Sequence, residues 1–181
     1  MINSKNLAQD IWAQLQRASV DKHHEWRSPV FVTNGQDSLQ GKFPDARTVI
    51  LRSVNLANKQ LVFYTDSRSP KVAQLRANPN AMIVFWSKRL NWQLRVKAII
   101  AIKMDDAETN NIWQKVKQSP SAGDYLSALA PGELLTETAT NNQAHFAVLI
   151  ATVIEMDWLA LSRDGHQRAK IVDNKASFLQ P

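Results

Sequence analysis

The stretch Arg47-Thr48-Val49-Ile50-Leu51-Arg52-Ser53-Val54, then Asn55-Leu56-Ala57-Asn58, then Gln60-Leu61-Val62-Phe63-Tyr64-Thr65, decides how this chain is read. β-Branched and aromatic residues fill both arms and turn formers fill the link, so the pattern predicts a β-hairpin. Just beyond it, Pro70 suits the first turn of a short helix that runs through Leu75 and Arg76 and stops at Asn78-Pro79. The apolar run from Ala81 to Trp86 reads as a buried strand, and Lys88-Arg89-Leu90-Asn91 turns the chain into another, from Trp92 to Met104. In that strand Gln93, Arg95 and Lys97 fall on one face, and Trp92, Leu94 and Val96 on the other.

Towards the N-terminus, Pro29 to Thr33 reads as a short strand ended by an Asn34-Gly35 turn, with a polar loop from there to Phe43-Pro44. Earlier still, Leu7, Ile11, Leu15 and Ala18 recur at helical spacing, which predicts an amphipathic helix over about 4–19 with Ser4 at its N-cap. On the other side, Asp105-Asp106 opens a helix through Ile112 and Val116, and Ser121 to Leu129 reads as a further short helix. A polar loop from Pro131 to Gln143 leads to strands at His145 to Ile154 and Trp158 to Leu161, a turn at Arg163-Asp164-Gly165, and a returning strand from Gln167 to Val172. Many hairpin-linked strands with few helices predict a mainly β fold, an antiparallel barrel with flanking helices. At 181 residues, 44% of them hydrophobic, the chain suits a single domain over 1–181.

Composition removes several chemistries. There are no cysteines, so disulfides and thiolate sites are excluded. The five glycines form neither a Walker loop nor a dinucleotide-binding turn, and no serine sits in a Gly-x-Ser-x-Gly elbow. His23, His24, His145 and His166 make no zinc-type pair, so no metal is expected. No apolar run reaches bilayer length and the start lacks the order of a signal peptide, so the expectation is a cytoplasmic protein with no membrane partner. The formal charge of +6 favours an anionic partner. Its 22 basic residues are spread along the chain among 16 acids rather than gathered, which favours a small phosphate-bearing ligand over nucleic acid.

One polar cluster fits such a ligand: Arg47, Thr48 and Arg52, then Tyr64 and Thr65, then Ser67, Arg68, Ser69 and Lys71 before the helix. Guanidinium forks, an ammonium, hydroxyls and free N–H groups at a helix start are what a phosphate monoester needs. The period of two in a strand sends Arg47 and Arg52 to opposite faces unless a bulge intervenes. Taken alone, the same residues also suit solvated strand ends and hydroxyl caps of turns.

In four pieces the chain resembles the pyridoxamine 5'-phosphate oxidase family of FMN-binding split barrels. They are Arg47 to Arg52; Phe63 to Lys71 with Asn78-Pro79; Asn91-Trp92-Gln93-Leu94-Arg95-Val96; and Trp158 with His166-Gln167-Arg168. The resemblance implies FMN as cofactor, with Arg47 and Lys71 on its phosphate assisted by Thr65 and Ser69. Thr48, Val49, Ile50 and Tyr64 would belong to the same cofactor site, and Gln93 would hydrogen-bond the isoalloxazine edge. It further implies a homodimer with FMN at the interface, Trp158 and Arg168 reaching it from the partner chain. Arg52 and His166 would face a small-molecule substrate, and no catalytic residue is assigned.

Departures are local. The family's Ser-Arg-Lys is Ser69-Pro70-Lys71 here, which leaves Arg68 as the candidate replacement for an arginine. Arg52 replaces a substrate-binding lysine, Trp113, Lys115 and Lys117 occupy the region of other substrate ligands, and Asp164-Gly165-His166 replaces Arg-x-His. The resemblance therefore implies an FMN-dependent oxidoreductase of undefined substrate. The pyridoxamine phosphate oxidase itself, a non-catalytic FMN carrier or sensor, and a basic nucleic-acid-binding barrel stand as alternatives.

Overall fold

The protein is described from a computed structural model over residues 4–37, 41–135 and 143–181. Helix α1 is Ser4–Val20 and strand β1 is Val30–Asp37, followed by β2 Gly41–Thr48, β3 Leu51–Asn55 and β4 Gln60–Asp66. Helix α2, Pro70–Ala77, leads to β5 Asn80–Ser87 and β6 Trp92–Lys103; α3 is Ala107–Val116. The long β7, Phe146–Ala160, is followed by β8 Gln167–Val172 and β9 Lys175–Leu179. Short 3₁₀ turns occupy Glu25–Arg27 and Pro120–Tyr125.

All strand pairs are antiparallel, in the order β2-β1-β5-β6-β7-β4-β3, with β8 added to β7 and β9 to β8. β2 and β3 end this path from opposite sides, yet only Val49-Ile50 separates them in the chain. The two edges must therefore meet, and the sheet closes into a split barrel. The Val49 N–H donates to Pro29 O at 3.0 Å, which fixes that corner.

Inside the barrel, Phe31, Leu51, Leu61, Phe63, Ile83, Phe85, Leu94, Val96, Leu149, Ala151 and Trp158 form one core, and α1 lays Leu7, Ile11, Leu15 and Ala18 against it. A smaller cluster of Tyr125, Phe146 and Val148, with Tyr64, Ile112 and Trp113 packed on it, lies on the opposite face of β4 and β7 under α3. The alternation of β4 explains the division: Leu61, Phe63 and Thr65 are buried inward, whereas Val62 and Tyr64 face the second cluster.

The 47–65 hairpin is present as β3 and β4, but its first arm is broken. Residues 47–54 belong to two strands, β2 and β3, because the barrel corner falls at Val49-Ile50. Asn34-Gly35 is not a turn either: both residues lie within β1, paired with Pro44 and Phe43, and the predicted polar loop includes strand β2. A Cβ on Gly35 would lie 3.1 Å from Phe43 O and 3.3 Å from Asp45 Cβ, so this glycine serves close approach of neighbouring elements. The strands expected at 145–154 and 158–161 are one continuous strand. A bulge opposite Lys97-Ala98 shifts its alternation and interrupts the apolar pattern that a sequence reading follows. The helix expected over 121–129 is only the 3₁₀ turn Pro120–Tyr125, and β9 was not expected. The Ser4 cap and the loop across 136–142 lie outside the described residues and side chains.

Candidate functional site

Thr65 ends the inward row of β4, and the chain then turns through Ser67-Arg68 into α2, so Thr65, Ser69 and Lys71 converge at the helix start. The Lys71 ammonium donates to Thr65 Oγ1 at 3.0 Å and to Ser69 Oγ at 3.1 Å, and the two hydroxyls are themselves 3.1 Å apart. Ser69 and Thr65 are both buried. Among the described residues no carboxylate forms an ion pair with Lys71. Burial, then the positive charge of Arg47, hold its pKa below the ordinary lysine range.

Arg47 comes from β2, where it shares the face of Phe31 and Thr33. Its guanidinium donates to Thr33 Oγ1 at 2.6 Å, Phe31 O at 3.4 Å and Gln74 Oε1 at 3.2 Å, and forms an ion pair with Asp45. Gln74 Nε2 donates in turn to Asp45 Oδ2 at 2.8 Å. Thr33, Asp45 and Gln74 were not singled out from sequence, although two of them carried a signal. Asp45 is two residues before Arg47 on the same strand face, and Gln74 is one helical turn after Lys71.

Arg68 has a different task. Its side chain grips the buried Asp66 carboxylate at 3.1 and 2.7 Å and donates to the carbonyls of Ser127, Ala128 and Leu129 at 2.8, 3.0 and 3.2 Å. It ties the 127–129 segment to the end of β4.

The remaining sequence candidates divide by face. Arg52 sits at a bulge between Leu51 and Ser53 and lies over the Tyr64 ring, 5.4 Å from its centroid, with Nε buried and unpartnered. Since Tyr64 and Thr65 are neighbours on β4, this places Arg52 and Lys71 on opposite sides of that strand. Tyr64 packs on Phe146 at 5.2 Å and does not join the Lys71 cluster. Thr48 is exposed opposite Val30, on the other face of β2 from Arg47, while Val49 and Ile50 form the half-buried corner.

Gln93, Leu159 and Arg168 make one row across β6, β7 and β8 on the outer face of the barrel. Arg168 is ion-paired with Asp157 at 2.8 Å, which also pairs with Arg95; Glu155 pairs with Lys97 at 3.1 Å and Lys170 at 2.7 Å. The adjacent row, Leu94-Trp158-Ala169, points inward and is wholly buried. Trp158 is 0% exposed and packs edge-on against Trp92 at 5.2 Å. Within this chain it is a core aromatic. His166 is exposed, and its Nδ1 accepts from Ser162 N at 3.2 Å, closing the turn before β8.

Residues 9–103 match the family described as pyridoxamine 5'-phosphate oxidase, FMN-binding domain. That segment holds the whole of α1 to β6 beyond the first helical turn, including Arg47, Thr65, Ser69 and Lys71. This chain belongs to the pyridoxamine 5'-phosphate oxidase FMN-binding family. A pyridoxine/pyridoxamine 5'-phosphate oxidase from Psychrobacter sp. (strain PRwf-1) is 33% identical over 107 residues, covering 59% of this chain and 46% of that protein. The chain spans about half the length of the curated relatives it matches. A pyridoxamine 5'-phosphate oxidase-related, FMN binding protein from Nostoc punctiforme has the same fold, with a TM-score of 0.71, 20% identity and 96% of each chain covered. PhzG from Burkholderia lata, solved with tetrahydrophenazine-1-carboxylic acid, also gives 0.71, at 19% identity over 97% of this chain and 91% of that one.

The donor set fits the phosphate end of the family's flavin. Lys71 is a half-buried ammonium whose direct partners are two neutral hydroxyls, so an incoming dianion would give it the direct ion pair that it lacks among the described residues. The start of α2 adds the positive end of a helix dipole at the same place.

Proposed function

We propose that this chain binds FMN with its phosphate in the Lys71–Thr65–Ser69–Arg47 cradle and acts as an FMN-dependent oxidoreductase on a small-molecule substrate. The observation that carries this reading is the half-buried Lys71 held by two hydroxyls within a family of FMN-binding domains. Bound there, FMN supplies two-electron chemistry, and the protein supplies position and charge. Lys71, Ser69 and Thr65 hold the phosphate, Arg47 adds the second cation, and Val49-Ile50 at the barrel corner line the approach to it. Gln93 and Arg168, on the outer face, are the residues proposed to meet the ring system in a homodimer. That face carries an apolar groove of about 380 Å³ lined by Val32, Met82, Ile99 and Ile154, with Ile99 and Ile154 exposed. A partner copy would cover it.

A cytoplasmic location is part of the proposal; among the described residues no helix is long and apolar enough to cross a membrane. Nucleic acid is the weaker ligand because the outer-face cations Arg95, Lys97, Arg168 and Lys170 are paired with Asp157 and Glu155.

The test of the proposal is the visible spectrum of the purified protein before and after addition of FMN. A flavin spectrum that bleaches with an amine or reduced nicotinamide and returns in air supports the oxidoreductase. A flavin spectrum with no turnover leaves a carrier or sensor, and a protein that stays colourless with added FMN overturns flavin binding. Arg68→Ala separates neighbouring roles: it should lower thermal stability by leaving the buried Asp66 carboxylate without its partner, while FMN affinity holds. A loss of FMN affinity in Arg68→Ala equal to that of Lys71→Ala would make Arg68 a phosphate ligand instead.

A further inference from the structure

The candidate phosphate cradle already contains an anion. Arg47 presents five N–H groups, and four contacts are made by its two terminal nitrogens: Phe31 O and Thr33 Oγ1 to one, Gln74 Oε1 and the Asp45 carboxylate to the other. A bidentate grip on a phosphate needs terminal N–H groups that this arrangement occupies. The Asp45 carboxylate is also the negative group that sits nearest in role to a phosphate: it pairs with Arg47, accepts from Gln74 Nε2, and its field reaches Lys71 after that of Asp66, which is itself paired with Arg68. Gln74 completes the arrangement, since its amide bridges Asp45 on β2 to Thr33 on β1 from one turn beyond Lys71 on α2.

We propose that Asp45 is an internal counter-anion for the cradle, which competes with the phosphate for Arg47 and keeps the empty site assembled. The inference rests on the phosphate site proposed above and deepens it. Two cations, Arg47 and Lys71, would by themselves match the two charges of a phosphate monoester dianion. With Asp45 present the net charge of the three groups is +1, so the dianion binds less tightly than the two cations allow, and it must draw Arg47 away from Asp45. Without a ligand the same carboxylate offsets the mutual repulsion of Arg47 and Lys71, and the Gln74 bridge holds α2 on β1 and β2. The half-exposed position of Asp45, at 42% side-chain exposure, lets its carboxylate turn to water when Arg47 is taken by a ligand. Gly35 shapes the same contact, because a Cβ there would lie 3.3 Å from Asp45 Cβ and 3.4 Å from Gln74 Nε2.

The experiment uses Asp45→Asn on the full chain, with three probes: FMN, riboflavin, which carries the same ring system without the phosphate, and inorganic phosphate as competitor. Asp45→Asn should bind FMN about fivefold more tightly, the scale of a partly exposed ion pair. Riboflavin binding should be unchanged, inorganic phosphate should compete at lower concentration, and the ligand-free variant should melt at a lower temperature. Equal or weaker FMN binding by Asp45→Asn would overturn the proposal and make Asp45 a residue that orients Arg47. A gain shared equally by riboflavin would also overturn it, since the effect would not be on the phosphate. Failure of the underlying site reads differently: Arg47→Ala and Lys71→Ala would then leave the preference for FMN over riboflavin intact.

Discussion

Trp158→Ala is expected to destabilise the protein by about 3–5 kcal/mol, the range for removing a fully buried large aromatic from a packed core. The indole is 0% exposed, lies between Leu94 and Ala169 on neighbouring strands, and meets Trp92 edge-on at 5.2 Å. Deleting it opens a void at the centre of β6, β7 and β8, which cannot collapse because β7 is hydrogen-bonded on both sides. Denaturant unfolding would measure the loss. Trp158→Phe should restore much of it, since a phenyl ring keeps most of the contact area. The indole Nε1 is buried without a partner, so its removal carries no hydrogen-bond penalty. A Trp158→Ala protein of unaltered stability that had lost flavin affinity would return Trp158 to the cofactor site.

Arg47→Ala and Lys71→Ala should each weaken FMN binding by about 1.5–3 kcal/mol, the worth of a charge-assisted contact, or roughly 10- to 150-fold in Kd. The larger loss belongs to Lys71. Its direct partners are two neutral hydroxyls and it forms no ion pair among the described residues, whereas Arg47 is paired with Asp45. Fluorescence quenching of FMN on titration with each variant measures the change, and unchanged affinity in both would move the phosphate elsewhere.

Lys71 also predicts a pH dependence. Burial, reinforced by Arg47, holds its pKa below that of an ordinary lysine. Between the lowered value and the ordinary one, the unfolded chain binds more protons than the folded apoprotein, so the Lys71 contribution makes stability rise with pH across that window. Below the window the penalty of burying the ammonium is present in full. Lys71→Met should remove this rise, and a bound phosphate should reduce it by holding the proton on the folded state. Thermal melts of wild type and Lys71→Met at a series of alkaline pH values would show both.

Much of the site was legible because its determinants are local in the chain. Thr65, Ser69 and Lys71 fall within seven residues that leave a strand and enter a helix, and a strand-to-helix turn brings them together whatever the rest of the molecule does. The relation of Arg47 and Arg52 was not legible in the same way: the period of two held only without a bulge, and a corner at Val49-Ile50 and a bulge at Arg52 both intervene. The family resemblance carried further residues, Trp158 and Arg168, whose faces local pattern could not settle, whereas the face of Gln93 followed from the alternation of β6.

By itself, the sequence determined the antiparallel β class, the inward and outward sets of β6, the opening helix and the cluster around Lys71, since each depends on periodicity or on contacts a few residues apart. Tertiary structure alone decided the corner at Val49-Ile50, the passage of Gly35 beneath β2 and α2, the burial of Trp158 and the capture of Arg68 by Asp66 and the 127–129 carbonyls. These depend on which strands become neighbours and where a bulge shifts their register, and pairings of that range leave no trace in the spacing of nearby residues. Asp45 lies at the boundary: its strand face could be read from its distance to Arg47, but only the fold brought Gln74 across from α2 to complete the contact.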